Sequence, residues 1–282
     1  MSGTLYRLSA FTTTPEGGNP AGVWIGDALP DVEEMQRIAK EVGFSETAFV
    51  APRSGRRRTV RYYSPEMEVP FCGHATVAAG VQLGELDSSD IVYRFDTAVG
   101  EVVVDVRVRD GVAEAALTSV EPRHTAVPSD LLADILAALN WKLNELDASI
   151  PPALAYAGAW HCIIAASSLE RLSALNYDFD ALKGVMLKAG LTTIQLVWRE
   201  GRNDFHARNP FPVGGVVEDP ATGAAAAALG GYLRAAKLIE VPASLLIRQG
   251  EAMGRPSRLH VHIPTAGGIV VRGNAVAFRA AE

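Results

Sequence analysis

Two runs of very small residues constrain the fold of this 282-residue chain more than any other feature. In the first run, residues 73–80 are mainly Ala, Val and Gly, and no polar side chain follows Thr76 until Gln82. Such a run lacks the polar face of a surface helix and is too short to cross a bilayer. We therefore expect a helix that is buried on most of its circumference and has His74 in its first turn.

The second run repeats this pattern in the other half of the chain. Pro220 precedes Gly223, and residues 224–231 contain only Ala, Leu and Gly. The repeat predicts an internal duplication, with two β-rich domains each wrapped around one buried helix. Because prolines and polar residues interrupt the periodicity after residue 118, we assign 1–120 to the first domain and 121–282 to the second. In this assignment the last strands of the chain can cross back and pair with the first domain.

The remaining segments combine many short strands with a few helices, which favours an α+β fold. Strands rich in Val are separated by turn signals such as Asp110-Gly111. Asp31 and Gly43 bracket a helical pattern in the positions of an N-cap and a C-cap. Ser129 begins another helical pattern, which we expect to reach about residue 146.

The composition argues against several classes of function. The net charge is −6 and hydrophobic residues make up 48%, which is typical of a soluble globular protein and disfavours nucleic acid or a membrane as partner. The first residues lack the pattern of a secretory signal. Two cysteines in so long a chain do not form a disulfide framework, so a reducing, cytoplasmic setting is expected. The sequence contains neither a P-loop nor a G-x-G-x-x-G motif, so a nucleotide cofactor is not indicated.

Three residues are candidates for acid/base chemistry, and each also has a purely structural interpretation. Glu46 lies ahead of an apolar strand. It is either a partly buried general base or a residue that caps the preceding loop. His74 at a helix start is a proton donor near neutral pH, or it is satisfied by a backbone carbonyl. Asp219 before Pro220 is a functional acid, or a simple N-cap. The functional interpretation is favoured over the structural one if these three side chains lie in the same cleft.

Cysteine and metal chemistry have less support in the sequence. A racemase with one thiol on each face of a carbon acid needs a cysteine in each half, and the stretch 219–223 that matches Cys72 has none. His260 and His262 share a strand face but lack further ligands at metal-binding spacing. We therefore expect no metal site, and a passive role for Cys72 as a small buried residue.

Five blocks in the chain resemble the PhzF-like isomerase family of phenazine biosynthesis, which has a diaminopimelate epimerase-like fold. The blocks run in family order over nearly the whole chain, at residues 18–23, 44–50, 70–76 and 218–223, and at 249–250 with 254–256. The resemblance implies two similar domains, each with a curled, mainly antiparallel β-sheet around a central buried helix. It also implies an active site between the domains, no cofactor, and a homodimer.

The resemblance also implies roles for individual residues. Glu46 is the catalytic base and then acid, with His74 and Asp219 as supporting catalytic residues. Four further positions are implied as substrate contacts: Asn19, Gly73, Gly223 and Ala224. The family's phenazine enzyme has a serine where this chain has Ala224, and losing one hydroxyl contact costs on the order of 1–3 kcal/mol.

The leading hypothesis is a cofactor-independent isomerase that moves a proton on a small carboxylate-bearing substrate. One alternative is a catalytically silent family member that binds a protein partner. Another alternative is an epimerase or racemase of a carboxylic acid, against which the missing second thiol counts.

Overall fold

The computed structural model describes residues 2–278 and divides the chain into two compact units. Unit 1 contains the chain up to Thr118 and the segment that begins at Arg272, and unit 2 contains Ser119–Val271. The boundary thus lies next to residue 120, and the C-terminal segment belongs with the first unit.

Unit 1 is built mainly from short strands. Its elements are β1 (Gly3–Ala10), β2 (Asn19–Gly26), α1 (Val32–Val42), β3 (Glu46–Ser54), β4 (Arg57–Tyr63), β5 (Glu68–Val69), α2 (Gly73–Asp87), β6 (Ile91–Thr97), β7 (Gly100–Arg109) and β8 (Val112–Thr118), with all but the first two residues of β17 (Val270–Ala277). α1 is capped by Asp31, whose carboxylate accepts from the Glu34 N–H, and by the left-handed Gly43. Both caps confirm the sequence prediction.

The strands of unit 1 form a closed ring. The pairing runs in the order β1, β2, β3, β4, β6, β7, β8 and β17, and β17 pairs again with β1. Most neighbours are antiparallel, whereas β2–β3 and β4–β6 are parallel. The ring encloses α2, which contacts β1, β2, β3, β7 and β8.

The helix α2 is buried along nearly its whole length, as its small residues predict. All residues from His74 to Gly84 are buried. A Cβ placed on Gly80 would lie 2.7 Å from Val104 Cγ1 and 2.9 Å from Ala115 Cβ. The helix backbone therefore lies directly against β7 and β8, which only a residue without a side chain permits.

Unit 2 repeats this arrangement. Its elements are β9 (Arg123–Ala126), α3 (Ser129–Leu139), β10 (Ala153–Tyr156), β11 (Trp160–Ala165), α4 (Leu169–Ser173), α5 (Phe179–Ala189), β12 (Thr193–Arg199), β13 (Asp204–Phe211), β14 (Val216–Asp219), α6 (Gly223–Ala235), β15 (Ala243–Gln249) and β16 (Ser257–Ile263).

The strand pairing of β10 to β16 matches that of β1 to β7, step by step. β10–β11 is antiparallel, β11–β12 parallel, β12–β13 antiparallel and β13–β15 parallel, and β15–β16 is antiparallel. The short strand β14 pairs with β13 as β5 pairs with β4. This correspondence confirms the predicted duplication, with α6 in the place of α2.

The prediction for α3 is wrong at its C-terminal end. The helix ends at Leu139 instead of near residue 146. Asn140 adopts a left-handed conformation with φ 56°, and the Trp141 N–H donates to the Leu136 carbonyl at 2.9 Å. This is the hydrogen-bonded stop of a Schellman motif, in which asparagine takes the place of the usual glycine.

Among residues 2–278, no helix combines the length and the apolar character that crossing a bilayer requires.

Replacing Gly80 by Ala should lower the free energy of unfolding by about 1–3 kcal/mol, because the new methyl group overlaps Val104 and Ala115. Urea unfolding followed by circular dichroism measures this change. Gly184→Ala in α5 is the matched control, since a Cβ there meets no atom within 4 Å, and it should raise stability by up to about 1 kcal/mol. Equal effects of the two substitutions would contradict the close approach.

Candidate active site

A strand-to-helix turn that leads into the central helix occurs once in each unit. α2 begins at Gly73 after the N-cap Cys72, and α6 begins at Gly223 after the N-cap Thr222. The first N–H groups of a helix have no partner within the helix, and the helix dipole is positive at this end. Each turn is therefore suited to hold an anionic group such as a carboxylate.

Glu46 is placed by the turn that follows α1. Gly43 ends the helix in a left-handed conformation with φ 70°, and the chain then enters β3 with Glu46 beside Ala21 in the parallel β2–β3 pair. The Glu46 side chain is 17% exposed. Its carboxylate is thus held on a strand of the ring while remaining accessible to a small molecule.

His74 lies against this carboxylate. His74 Nε2 is 3.5 Å from Glu46 Oε2, and the His74 side chain is 7% exposed. The Ser45 hydroxyl is 3.4 Å from the same nitrogen. The structure thus brings together two of the three predicted catalytic residues, which come from β3 and from the first turn of α2.

Asn19 contacts the other side of the His74 ring. The buried Asn19 side chain places Nδ2 3.2 Å from His74 Nδ1. Because an amide nitrogen only donates, Nδ1 accepts this hydrogen bond, and the proton of the neutral imidazole lies on Nε2. This tautomer directs the Nε2–H of His74 toward Glu46. The predicted substrate contact Asn19 is therefore in place to orient His74.

Cys72 completes the surroundings of His74. Its Sγ is 3.3 Å from His74 Nδ1 and 3.8 Å from Nε2. Within residues 2–278, Glu46, Cys72 and His74 form the one group of at least three potential ligands whose donor atoms lie within 4.8 Å of one another. The sequence did not indicate this group, because Glu46 is remote from Cys72 along the chain and the three residues match no metal-binding spacing.

Asp219 is anchored at the start of α6 in unit 2. The Thr222 hydroxyl donates to Asp219 Oδ2 at 2.6 Å. Gln249 Nε2 donates to the Asp219 carbonyl at 2.7 Å and to Thr222 Oγ1 at 3.0 Å. The predicted contacts Gly223 and Ala224 are the first two residues of α6. Gln249 lies in one of the five family blocks, but the sequence assigned it no role, because nothing in that block indicates a contact with Asp219.

The matching position of unit 2 carries a neutral cluster instead of an acid/base pair. β12 starts with Thr193 opposite His161, as β3 starts with Glu46 opposite Ala21. Thr193 Oγ1 accepts from Asn209 Nδ2 at 3.2 Å and lies 2.8 Å from His161 Nδ1. Complete burial lowers the pKa of His161 to about 3. The cluster is therefore uncharged at neutral pH.

Comparison with known proteins gives consistent matches. A family model described as "Phenazine biosynthesis-like protein" (PhzC-PhzF) matches residues 8–281. The trans-2,3-dihydro-3-hydroxyanthranilate isomerase of Pseudomonas fluorescens is 34% identical over 253 residues, which cover 89% of this chain and 86% of the relative. A Bacillus anthracis phenazine biosynthesis protein of the PhzF family superposes with a TM-score of 0.85 at 25% identity, covering 99% of this chain and 98% of that protein.

The fold extends to more distant proteins. A hydroxyproline epimerase from Agrobacterium vitis superposes with a TM-score of 0.66 at 14% identity, covering 97% of this chain and 90% of that protein. At this identity the match concerns the fold alone. Together with the strand pairing, it confirms the predicted α+β fold of the epimerase type.

Replacing His161 by Gln should flatten the dependence of stability on pH. The folded state keeps His161 neutral down to about pH 3, whereas the unfolded chain takes up the proton near pH 6.5. The wild type should therefore lose about 2 kcal/mol of unfolding free energy from this group between pH 7 and pH 5, and the variant should not. Urea titrations at the two pH values measure the difference. His262→Gln, at an exposed position, serves as control. If the unfolding free energy of the wild type changed with pH as little as that of His161→Gln, the result would contradict the burial argument.

Proposed function

Because the chain belongs to the PhzC-PhzF family of phenazine biosynthesis-like proteins and is an isomerase of that family, we propose that it moves a proton within a small carboxylate-bearing substrate without a cofactor. The observation that carries the proposal is the pair of Glu46 and His74, with Nε2 and Oε2 3.5 Å apart at the start of a buried helix. A carboxylate beside an imidazole donor is a suitable pair for general acid/base catalysis.

In the proposed mechanism Glu46 removes a proton from a carbon of the substrate. The C–H bond breaks, the proton passes to the Glu46 carboxylate, and the electron pair shifts to form a new double bond. Glu46 then returns the proton to a different carbon of the same molecule, where the π electron pair of the original double bond forms the new C–H bond, so the reaction has no net oxidation or reduction. Negative charge develops on the substrate between these two steps, which hydrogen-bond donors and the helix dipole stabilise.

His74 supplies the hydrogen bond that this charge needs. Its Nε2–H faces Glu46, because Nδ1 accepts from Asn19. In the proposal Asn19 is a positioning residue that keeps the tautomer correct, and His74 donates to the substrate oxygen or to the protonated Glu46. The N–H groups around Gly73 supply the cradle for the substrate carboxylate.

Asp219 is proposed to orient a polar group of the substrate. The support is the family resemblance together with the fixed geometry of the side chain, which Thr222 holds at 2.6 Å. The backbone at Gly223 and Ala224 is proposed as a second carboxylate or polar contact, by the same helix-start argument.

The comparison of the two units favours this one-base reaction over a two-base racemase. A racemase that inverts a stereocentre needs a proton acceptor on each face of the carbon. The position that matches Cys72 holds Thr222, and the position that matches Glu46 holds Thr193. A threonine hydroxyl is a poor base at neutral pH, so unit 2 offers no counterpart to Glu46 at these positions.

The homodimeric state and the cytoplasmic location are proposed from the family resemblance. Neither Cys72 nor Cys162 forms a disulfide, which is the usual state in a reducing compartment. Light scattering after size-exclusion chromatography measures the oligomeric state directly.

Replacing Glu46 by Gln should reduce turnover by roughly 10²–10⁴-fold, because the amide cannot take up the proton. Proton NMR in D₂O measures deuterium incorporation into a panel of small unsaturated carboxylates, including trans-2,3-dihydro-3-hydroxyanthranilate. Stability should change by less than about 1 kcal/mol, since Glu46 is partly exposed. Glu33→Gln on the exposed face of α1 is the control and should keep full activity. Full activity of the Glu46 variant would remove this residue from the mechanism.

Replacing Ala224 by Ser should improve the use of trans-2,3-dihydro-3-hydroxyanthranilate, because it restores the hydroxyl that the resemblance implies at this position. One added hydrogen bond of about 1 kcal/mol corresponds to a KM about fivefold lower. Ala225→Ser is the control, since Ala225 is fully buried in α6 and its hydroxyl should give no gain. Equal effects of the two substitutions would argue against a substrate contact at residue 224.

A further inference from the structure

The group of Glu46, Cys72 and His74 has the composition of a binding site for a thiophilic metal ion. A thiol, an imidazole and a carboxylate are the three kinds of side chain that bind Zn²⁺ in proteins. Mg²⁺ and Ca²⁺ prefer oxygen ligands alone, so the sulfur and nitrogen donors disfavour them. The three donor atoms all lie within 4.8 Å of one another.

Two of the three distances between the donor atoms are close to those between the ligands of a tetrahedral zinc ion. With metal–ligand bonds of about 2.0–2.3 Å at tetrahedral angles, two ligand atoms lie roughly 3.3–3.6 Å apart. His74 Nε2 is 3.5 Å from Glu46 Oε2 and 3.8 Å from Cys72 Sγ. The third pair, Glu46 and Cys72, lies within 4.8 Å, so side-chain rotations that bring these two donors closer by up to about 1 Å would surround an ion.

The surroundings also favour binding. Cys72 is 7% exposed and His74 is 6% exposed, so both donors are held in place by packing before an ion arrives. The thiolate and the carboxylate together balance the charge of a divalent cation. Glu46 is 17% exposed, which leaves the solvent side of the tetrahedron for water as the fourth ligand.

We propose that Glu46, Cys72 and His74 bind one Zn²⁺ ion and that the bound ion inhibits the isomerase. Binding uses the lone pairs of Glu46 Oε2 and His74 Nε2, which are the atoms that move and donate protons in the proposed reaction. The proton of His74 then lies on Nδ1, so the Asn19 amide has to turn and present Oδ1 instead of Nδ2 to this nitrogen. Inhibition rests on the proposed function, whereas metal binding does not.

Cys72 has the distinctive part in this site. Catalysis by Glu46 and His74 uses no thiol, whereas the zinc site loses one of its three side-chain ligands without Cys72. Substituting Cys72 should therefore separate the two properties, leaving proton transfer largely in place while removing inhibition by zinc.

Titration with Co²⁺ in a non-thiol reductant tests the binding directly, because a cobalt–thiolate bond gives a charge-transfer band in the near ultraviolet. The wild type, freed of metal by a chelator, should show this band with one equivalent of Co²⁺, and Zn²⁺ should abolish it. Cys72→Ser should not show it. Glu46→Gln should weaken binding by roughly 10–100-fold or more.

Cys162→Ser is the matched control. Cys162 is fully buried in β11 and burial raises the pKa of its thiol to about 12, so it does not bind cobalt and its variant should keep the band. If Cys162→Ser does not fold, Cys162→Ala serves as the control instead. If Cys72→Ser does not fold, Cys72→Ala is used in its place. A wild type without the band, or a band that survives in both Cys72 variants, overturns the metal site.

Activity measured in parallel separates the two proposals. Deuterium incorporation by the wild type should fall on addition of Zn²⁺ and recover with chelator, and Cys72→Ser should resist the metal. A cobalt band without any isomerase activity would leave the metal site standing and contradict the proposed function. Isomerase activity that depends on Glu46, in a protein that shows no cobalt band, would support the proposed function and contradict the metal site. A cobalt band with activity that zinc does not change would overturn the inhibitory role.

Discussion

The contact on which the structure of unit 1 depends is that between the backbone of α2 and the inner side of β7 and β8. Gly80 brings the helix so close that a single added methyl group would overlap Val104 and Ala115. Interiors are packed to the density of organic crystals, so a helix held this tightly has little freedom to slide or rotate. The start of α2 is thereby fixed relative to the strands, and with it the direction of His74.

The same packing explains why acid/base groups can be placed with accuracy at the end of a helix made of small residues. Glu46 is fixed by the β2–β3 pair and His74 by the first turn of α2, so their 3.5 Å contact joins two rigid elements. A site built on strands and helices keeps its geometry better than one built on loops.

The duplication provides a second copy of this scaffold with different chemistry. At matching positions unit 1 has Glu46 and Cys72, and unit 2 has Thr193 and Thr222. One half thus carries the groups proposed to transfer protons and to bind zinc, while the other presents neutral hydroxyls and an anchored Asp219. The asymmetry favours a reaction with a single base, in which the thiol of Cys72 has no proposed part.

The sequence by itself determined the two buried helices, the duplication, the caps of α1 and the order of the motifs, because these follow from local residue size and turn chemistry. It failed at the end of α3, where Asn140 takes a left-handed conformation that few residues other than glycine adopt. Only the tertiary structure decided which side chains meet. Asn19 and His74 are 55 positions apart, and neither periodicity nor spacing encodes a contact between a strand of the ring and the helix that it encloses. For the same reason the group of Glu46, Cys72 and His74 emerged only from the folded chain.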